Sequence, residues 1–206
     1  MPEKVPDLFS PFLRRIDEDN EMNTRIFPLL LLCWLTLGRC TDAVGQQREG
    51  DDPCKTTLPF EAGMVVEDKL KDWKVVTIAD LRPDDRGIWT GKFGSTCPGV
   101  AAGHFDPGPS SSYAVTLIQR RGQDIYQMLA VLSKTGHAYR LATLSPATQT
   151  SVPSIVTKGP PGRYSTPDGS IHINSRFDVI SYEVIEAGAE IYYWQNGSYH
   201  SLQTSE

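Results

Sequence analysis

The sequence predicts an α+β fold: a mostly antiparallel β-sheet with one or two short helices near the N-terminus of the mature chain, and one disulfide. Three observations indicate this class. Seventeen glycines and fifteen prolines interrupt the chain too often for a helical bundle. Short apolar stretches rich in β-branched and aromatic residues alternate with these turn residues. Two cysteines remain after a predicted leader is removed, which is enough for one bridge.

Composition limits both size and partners. The chain has 206 residues, of which 39% are hydrophobic and 22% charged, as expected of one ordinary globular domain with appendages. The net charge is −5, and the basic pairs Arg14-Arg15 and Arg120-Arg121 are isolated. Proteins that bind nucleic acid usually carry a clustered basic surface. The sequence therefore predicts no nucleic-acid partner.

Residues 22–45 resemble a secretory signal peptide. Arg25 precedes the apolar run 26–37, and the small residues of 43–45 follow it. A run of this length is too short to cross a hydrocarbon core of about 30 Å as a helix. We expect cleavage before Gln46, a periplasmic or extracellular location and no transmembrane span after cleavage. A short buried helix is the alternative interpretation of the run.

Two features around the leader carry further expectations. Residues 37–40 resemble a lipobox, so a lipid anchor at Cys40 is a weaker alternative, because Arg39 stands where that motif needs a small residue. Residues 1–21 are acidic and precede a better start at Met22. We interpret them as a non-native upstream extension or a disordered segment.

A disulfide between Cys54 and Cys97 is predicted. These two cysteines remain after the predicted cut, and thiols pair in an oxidising compartment. In the chain-entropy model, closing the loop between Cys54 and Cys97 stabilises the fold by about 4 kcal/mol. A metal or redox pair is the alternative, but the chain lacks a CxxC motif.

The mature chain divides into a linker, 46–57, and a single α+β domain, 58–206. Near its start we expect a helix within 61–70 and a strand over 73–78. A second short helix is predicted to begin at Asp80, as its N-cap, and to end before Gly91.

The middle of the domain is predicted to hold two central strands, because 113–118 and 128–132 are apolar without alternation. The second strand, 124–132, continues through a turn at 133–136 into 137–144 as a hairpin. The glycine- and proline-rich segment 158–169 is predicted to be a loop. Further strands are expected at 152–157, 170–173, 178–186, 190–194 and 199–203, the last two joined by a tight turn at Asn196-Gly197.

The stretch 103–115, Gly-His-Phe-Asp-Pro-Gly-Pro-Ser-Ser-Ser-Tyr-Ala-Val, resembles the calcium-binding loop of FG-GAP or VCBS-type β repeats. In that family, acids at four loop positions hold the ion. Those positions are here His104, Asp106, Gly108 and Ser112. A single carboxylate is a poor match for an ion that needs six to eight oxygens, so we predict no metal and no cofactor. A calcium-stabilised structural module remains an alternative, and one copy implies no multi-blade fold.

The same loop, with the bridge and the two hairpins, also resembles a class of uncharacterised secreted bacterial proteins. That resemblance implies a compartment and a shape but no activity. Ser110, Ser111 and Ser112 lack the Gly-x-Ser-x-Gly setting of a nucleophile, and the four histidines are scattered. The sequence therefore predicts no catalytic residue. A hydrolase that recruits His104, Asp106 and Asp168 from loops is the rival hypothesis.

The C-terminal aromatic residues are candidates for binding. Strand alternation places Tyr192 and Trp194 on one face and Ile191 and Tyr193 on the other. The rings of Tyr192, Trp194 and Tyr199 would then stack on sugars or anchor a protein partner. Structural cross-strand pairing of Trp194 with Tyr199 is the alternative.

The sequence predicts a secreted or periplasmic non-enzymatic binding protein. Its partner is expected to be a protein, of the inhibitor or immunity type, or a cell-envelope component such as a glycan. The candidate binding residues are Tyr192, Trp194, Tyr199, His104 and Asp106.

Overall fold

The computed structural model describes residues 52–205. The predicted extension 1–21, the leader 22–45 with Cys40, and the first part of the predicted linker lie outside the described residues. No helix within 52–205 is long and apolar enough to span a bilayer.

The last residues of the predicted linker 46–57 form a helix, which corrects that boundary. Helix α1 (Pro53–Thr57) begins with proline at its first position, where the missing N–H costs nothing. The carboxylate of Asp52 caps it by accepting the N–H of Cys54 at 3.0 Å. Helix α2 (Phe60–Lys69) confirms the helix predicted within 61–70.

The predicted second helix begins later and ends later than expected. Asp80 closes the 3-10 turn Ile78–Asp80, where its Oδ2 accepts both the N–H and the hydroxyl of Thr77, so it does not cap the next helix. Helix α3 (Pro83–Phe93) starts instead at a proline. It passes through Gly91, because one glycine weakens an exposed helix without ending it, and it ends at Phe93 with Gly94, at positive φ, as its C-cap.

Strand β1 (Lys74–Val75) is shorter than the predicted strand over 73–78. The other strands are β2 (Val100–Gly103), β3 (Ser112–Arg121), β4 (Asp124–Thr135), β5 (Ala138–Thr150), β6 (Ile155–Gly159), β7 (Gly162–Ser165), β8 (His172–Ser175), β9 (Val179–Glu183), β10 (Ala189–Gln195) and β11 (Ser198–Ser205).

These strands form two sheets and a ribbon, and their pairings are antiparallel. The first sheet has the order β1-β3-β4-β5, with β2 also paired to β3. The second has the order β11-β10-β9-β6. The predicted fold class, with its disulfide, is confirmed.

The segment 158–169 is not a loop throughout. Strand β6 continues to Gly159, and β7 pairs with β8 as a two-stranded ribbon. The prolines Pro160 and Pro161 lie between the two strands, where no ladder hydrogen bond is lost. Their positions explain why a proline-rich stretch contains strands.

Both faces of the first sheet are buried at β3 and β4, as the unbroken apolar runs of these strands predict, while β5 is largely exposed. One face packs on α1 and α2 through a cluster that includes Cys54, Val66, Val115, Leu117 and Leu132. The other face packs on the second sheet through Ala114, Leu129, Val131, Val156 and Ile180. The domain is therefore layered as α1 and α2, first sheet and second sheet, while Trp89 of α3 packs against Ile118 of β3 and Ile155 of β6.

The predicted bridge between Cys54 and Cys97 is present. Both residues are buried. The bond ties α1 to the chain just before β2, so it joins the helical layer to the first sheet.

Candidate binding site

A cavity of about 620 Å³ lies between the β4–β5 hairpin and the β10–β11 hairpin. One wall comes from β4 and β5, whose register sets Val131 opposite Ala142 and Ser133 opposite Arg140. The other wall comes from β10 and β11 and carries the aromatic residues. Cavities of a few hundred cubic ångströms are typical of small-ligand sites.

The aromatic wall is built by cross-strand pairing. The register places Trp194 opposite Tyr199 and Tyr192 opposite Ser201, so all four side chains share one face. The rings of Trp194 and Tyr199 meet edge to face, with centroids 4.9 Å apart. The alternative interpretation, structural pairing of these two rings, is thus confirmed, and both rings also line the cavity.

The three aromatic residues differ in exposure. Tyr192 is 6% exposed and belongs to the core between the sheets, so its ring forms the inner end of the wall. Trp194 and Tyr199 are half-buried. These two rings are the ones that a ligand would contact.

The turn of this hairpin is the predicted one at Asn196-Gly197. Both residues have positive φ, 52° and 86°, as the two-residue turn that matches strand twist requires. Gly197 itself lines the cavity. The turn therefore holds Trp194 and Tyr199 in place.

Asp106 lies at one end of the cavity and is only 8% exposed. Both of its carboxylate oxygens accept hydrogen bonds. Its Oδ1 accepts the N–H of Gly108 at 3.0 Å. Its Oδ2 accepts the hydroxyls of Ser133 at 2.5 Å, Ser112 at 3.0 Å and Tyr199 at 3.0 Å. Burial opposes ionisation, but these bonds, led by that from Ser133, hold the pKa of Asp106 below its usual range.

The cavity phenols stay neutral. Burial, then the charge and hydrogen bond of Asp106, raise the pKa of Tyr199. Burial, then the hydrogen bond to Glu190 at 2.7 Å, raise the pKa of Tyr192. Near neutral pH both side chains are hydrogen-bond donors, and neither is a base.

Arg140 supplies an exposed positive charge at the cavity. None of the ion pairs that residues 52–205 form involves it. The neighbouring Lys134 extends over the ring of Tyr139, 5.7 Å from its centroid, and strand alternation puts that side chain on the opposite face from Ser133. Lys134 also lines the cavity, so Arg140 is one of its two cations and the one whose side chain shares the face of Ser133.

The structure does not bring together the residues of the hydrolase hypothesis. His104 does not line the cavity that Asp106 lines, and its backbone exchanges hydrogen bonds with Asp178. Asp168 lies in the β7–β8 turn, where hydrogen bonds from Thr166 and Ser170 lower its pKa to about 2. Of the candidate binding residues, His104 is the one that lies apart from the cavity.

The loop around Asp106 is a hydrogen-bonded turn. The residues from 52 to 205 contain no cluster of three or more His, Cys, Asp or Glu side chains that could hold a metal ion. Ser112, at the ninth position of the repeat-like loop, donates to Asp106. The resemblance to FG-GAP repeats stays a prediction.

Sequence reasoning misses the polar residues that β4 and β5 contribute to this cavity, Ser133 and Arg140 among them. It places Ser133 in a turn, whereas that residue lies within β4, and it does not single out Arg140. The alternation of Val131, Ser133 and Thr135 is the available signal, because it puts these side chains on one face of a strand.

A second cavity, of about 630 Å³, lies beside the disulfide. Its lining includes Phe60 and Met64, one turn apart on α2 and exposed to 78% and 53%, together with Trp73. Among the large apolar side chains described, Phe60 is the most exposed, and Met64 is next together with Ile171 at 53%.

No protein-family model, curated protein or solved structure matches the chain. Proposals about its function therefore depend on the geometry of these cavities.

Proposed function

We propose that this protein is a non-enzymatic binding protein that acts outside the cytoplasm and holds part of a cell-envelope component in the cavity between the two hairpins. The observation that carries the proposal is the convergence of Trp194, Tyr199 and Asp106 on one cavity. These residues come from distant parts of the sequence, and half-buried aromatic rings beside placed polar groups are typical of ligand sites.

The chemistry of the cavity favours binding over catalysis. A general base needs an available lone pair and a pKa near the working pH. Asp106 receives four donors, and its pKa is lowered. The hydroxyl of Ser133 donates to a carboxylate, with no histidine in between, so it lacks the partner that activates a serine nucleophile.

Location outside the cytoplasm is supported by the buried bridge between Cys54 and Cys97. Such bonds persist in oxidising compartments. The predicted leader 22–45 agrees with this location.

The proposal is tested by immobilising the protein and measuring how much of a cell-envelope extract it retains. We expect Trp194→Ala to lower retention about tenfold or more, as the loss of a central aromatic anchor does. Tyr126→Ala is the matched control, since this half-buried ring on β4 lies beside Arg121 and outside the cavity. Equal retention by wild type and Trp194→Ala would contradict the proposal.

A protein partner, of the inhibitor or immunity type, is the second candidate. The exposed Phe60 and Met64 favour it, because adjacent exposed apolar side chains beside a cavity are common at protein interfaces. Retention of an envelope protein that is lost in Phe60→Ser/Met64→Ser, and kept in Trp194→Ala, would select this candidate.

A further inference from the structure

We propose that the cavity between the hairpins recognises a carboxylated sugar ring, with Arg140 binding the carboxylate and Trp194 packing on the ring. This inference rests on the proposed function above and names the ligand class of that site.

The charges at the cavity favour an anion. Among the described residues that line it, Asp106 is the only Asp or Glu, and its carboxylate is buried and occupied by four donors. Arg140 is exposed and takes no part in the ion pairs of the described residues. A guanidinium stays charged at all relevant pH values and matches a carboxylate with two parallel hydrogen bonds. Arg140 is therefore a recognition group without an ionic partner in the described part of the fold.

The remaining wall fits a polyhydroxylated ring. Thr135, Thr143 and Ser201 also line the cavity. Each hydroxyl both donates and accepts, as the hydroxyls of a sugar do. The rings of Trp194 and Tyr199 offer an apolar surface with a polar edge, which suits a ring with one C–H face and a polar rim.

The shape of the site also favours a sugar over a protein surface as its ligand. The cavity is concave and has the volume of a small-ligand site. A stable protein interface buries about 800 Å² on each partner, much more than such a cavity offers. The volume of the cavity is large enough for a sugar unit of a glycan chain.

The test is calorimetric titration of the purified protein with trigalacturonate and with its methyl ester, which keeps the rings and removes the charge. We expect the acid to bind at least tenfold more tightly than the ester. Arg140→Gln should bring the two affinities within about twofold, and Arg140→Lys should keep part of the preference. Arg163→Gln, a change of the same kind on exposed β7 away from the cavity, should leave the preference unchanged.

The outcomes separate this inference from the function on which it rests. If acid and ester bind equally and both depend on Trp194, the carboxylate proposal is overturned while the cavity remains a binding site. A preference for the acid that persists in Arg140→Gln overturns the role of Arg140. If neither compound binds while an envelope protein is retained through Trp194, the sugar proposal is overturned and the binding function stands.

Discussion

At the scale of single residues, Asp106 holds together the elements that form one end of the cavity. It joins its own loop, β3, β4 and β11 through four hydrogen bonds. Asp106→Asn replaces an acceptor oxygen by an NH₂ group that faces donors, so we expect the free energy of unfolding to fall by about 1–3 kcal/mol. Urea denaturation measures this loss. Asp68→Asn is the control, because that exposed carboxylate on α2 accepts none of the side-chain hydrogen bonds of the described residues and its loss should cost little.

The pH dependence of the unfolding free energy of Asp106→Asn tests whether the ionised carboxylate is the source of this stabilisation. The folded pKa of Asp106 is lower than its unfolded value, so its contribution is present above pH about 4 and is lost as pH falls through the folded pKa. The difference in unfolding free energy between wild type and Asp106→Asn should therefore shrink below pH about 4. A difference that stays constant from neutral pH to well below that value would show that the ionised carboxylate is not the source.

At the scale of elements, the β10–β11 hairpin depends on its turn. Gly197 has a φ of 86°, which costs a residue with a Cβ about 1–2 kcal/mol. We expect Gly197→Ala to lower the melting temperature and to weaken retention of the envelope extract, since Trp194 and Tyr199 flank the turn. Gly91→Ala is the matched control. Gly91 lies in α3, where an added Cβ would meet open space, so the same change should raise stability by up to about 1 kcal/mol.

Hairpins and the bridge are predictable from the sequence because their signals are local or countable. The turn at Asn196-Gly197 has one favoured geometry, and two cysteines allow one pairing. Helix α1 and strand β7 escape sequence reasoning for a different reason. The first is five residues long and depends on a cap and a buried cysteine, while the second is defined by its partner β8. Tertiary contacts decide such elements, and intrinsic propensity does not.

At the scale of the whole molecule, the disulfide holds the helical layer on the first sheet. Cys54 packs in the cluster that joins α1 and α2 to β3 and β4. We expect the double variant Cys54→Ala/Cys97→Ala to lose about 4 kcal/mol of unfolding free energy at most, measured by urea denaturation. The unfolding free energy of the wild type in reducing agent should be close to that of the double variant. A loss in the variant that reduction does not reproduce would place the effect in packing and not in the bond.

The cavity itself is predictable only in part. The aromatic wall follows from strand alternation. The meeting of Asp106 with Tyr199, 93 positions apart, and with Ser133, 27 positions apart, depends on how the two sheets pack. No local pattern encodes that packing, so the role of Asp106 as a shared acceptor emerges only from the structure.

The most direct test of the central claim is an NMR titration of the indole N–H groups with the envelope fraction that the protein retains. Trp73 and Trp89 lie away from the cavity between the hairpins, and Trp194 lines it. We predict that the Trp194 resonance shifts while those of Trp73 and Trp89 stay in place. A shift of Trp73 alone would place binding at the second cavity and contradict the account.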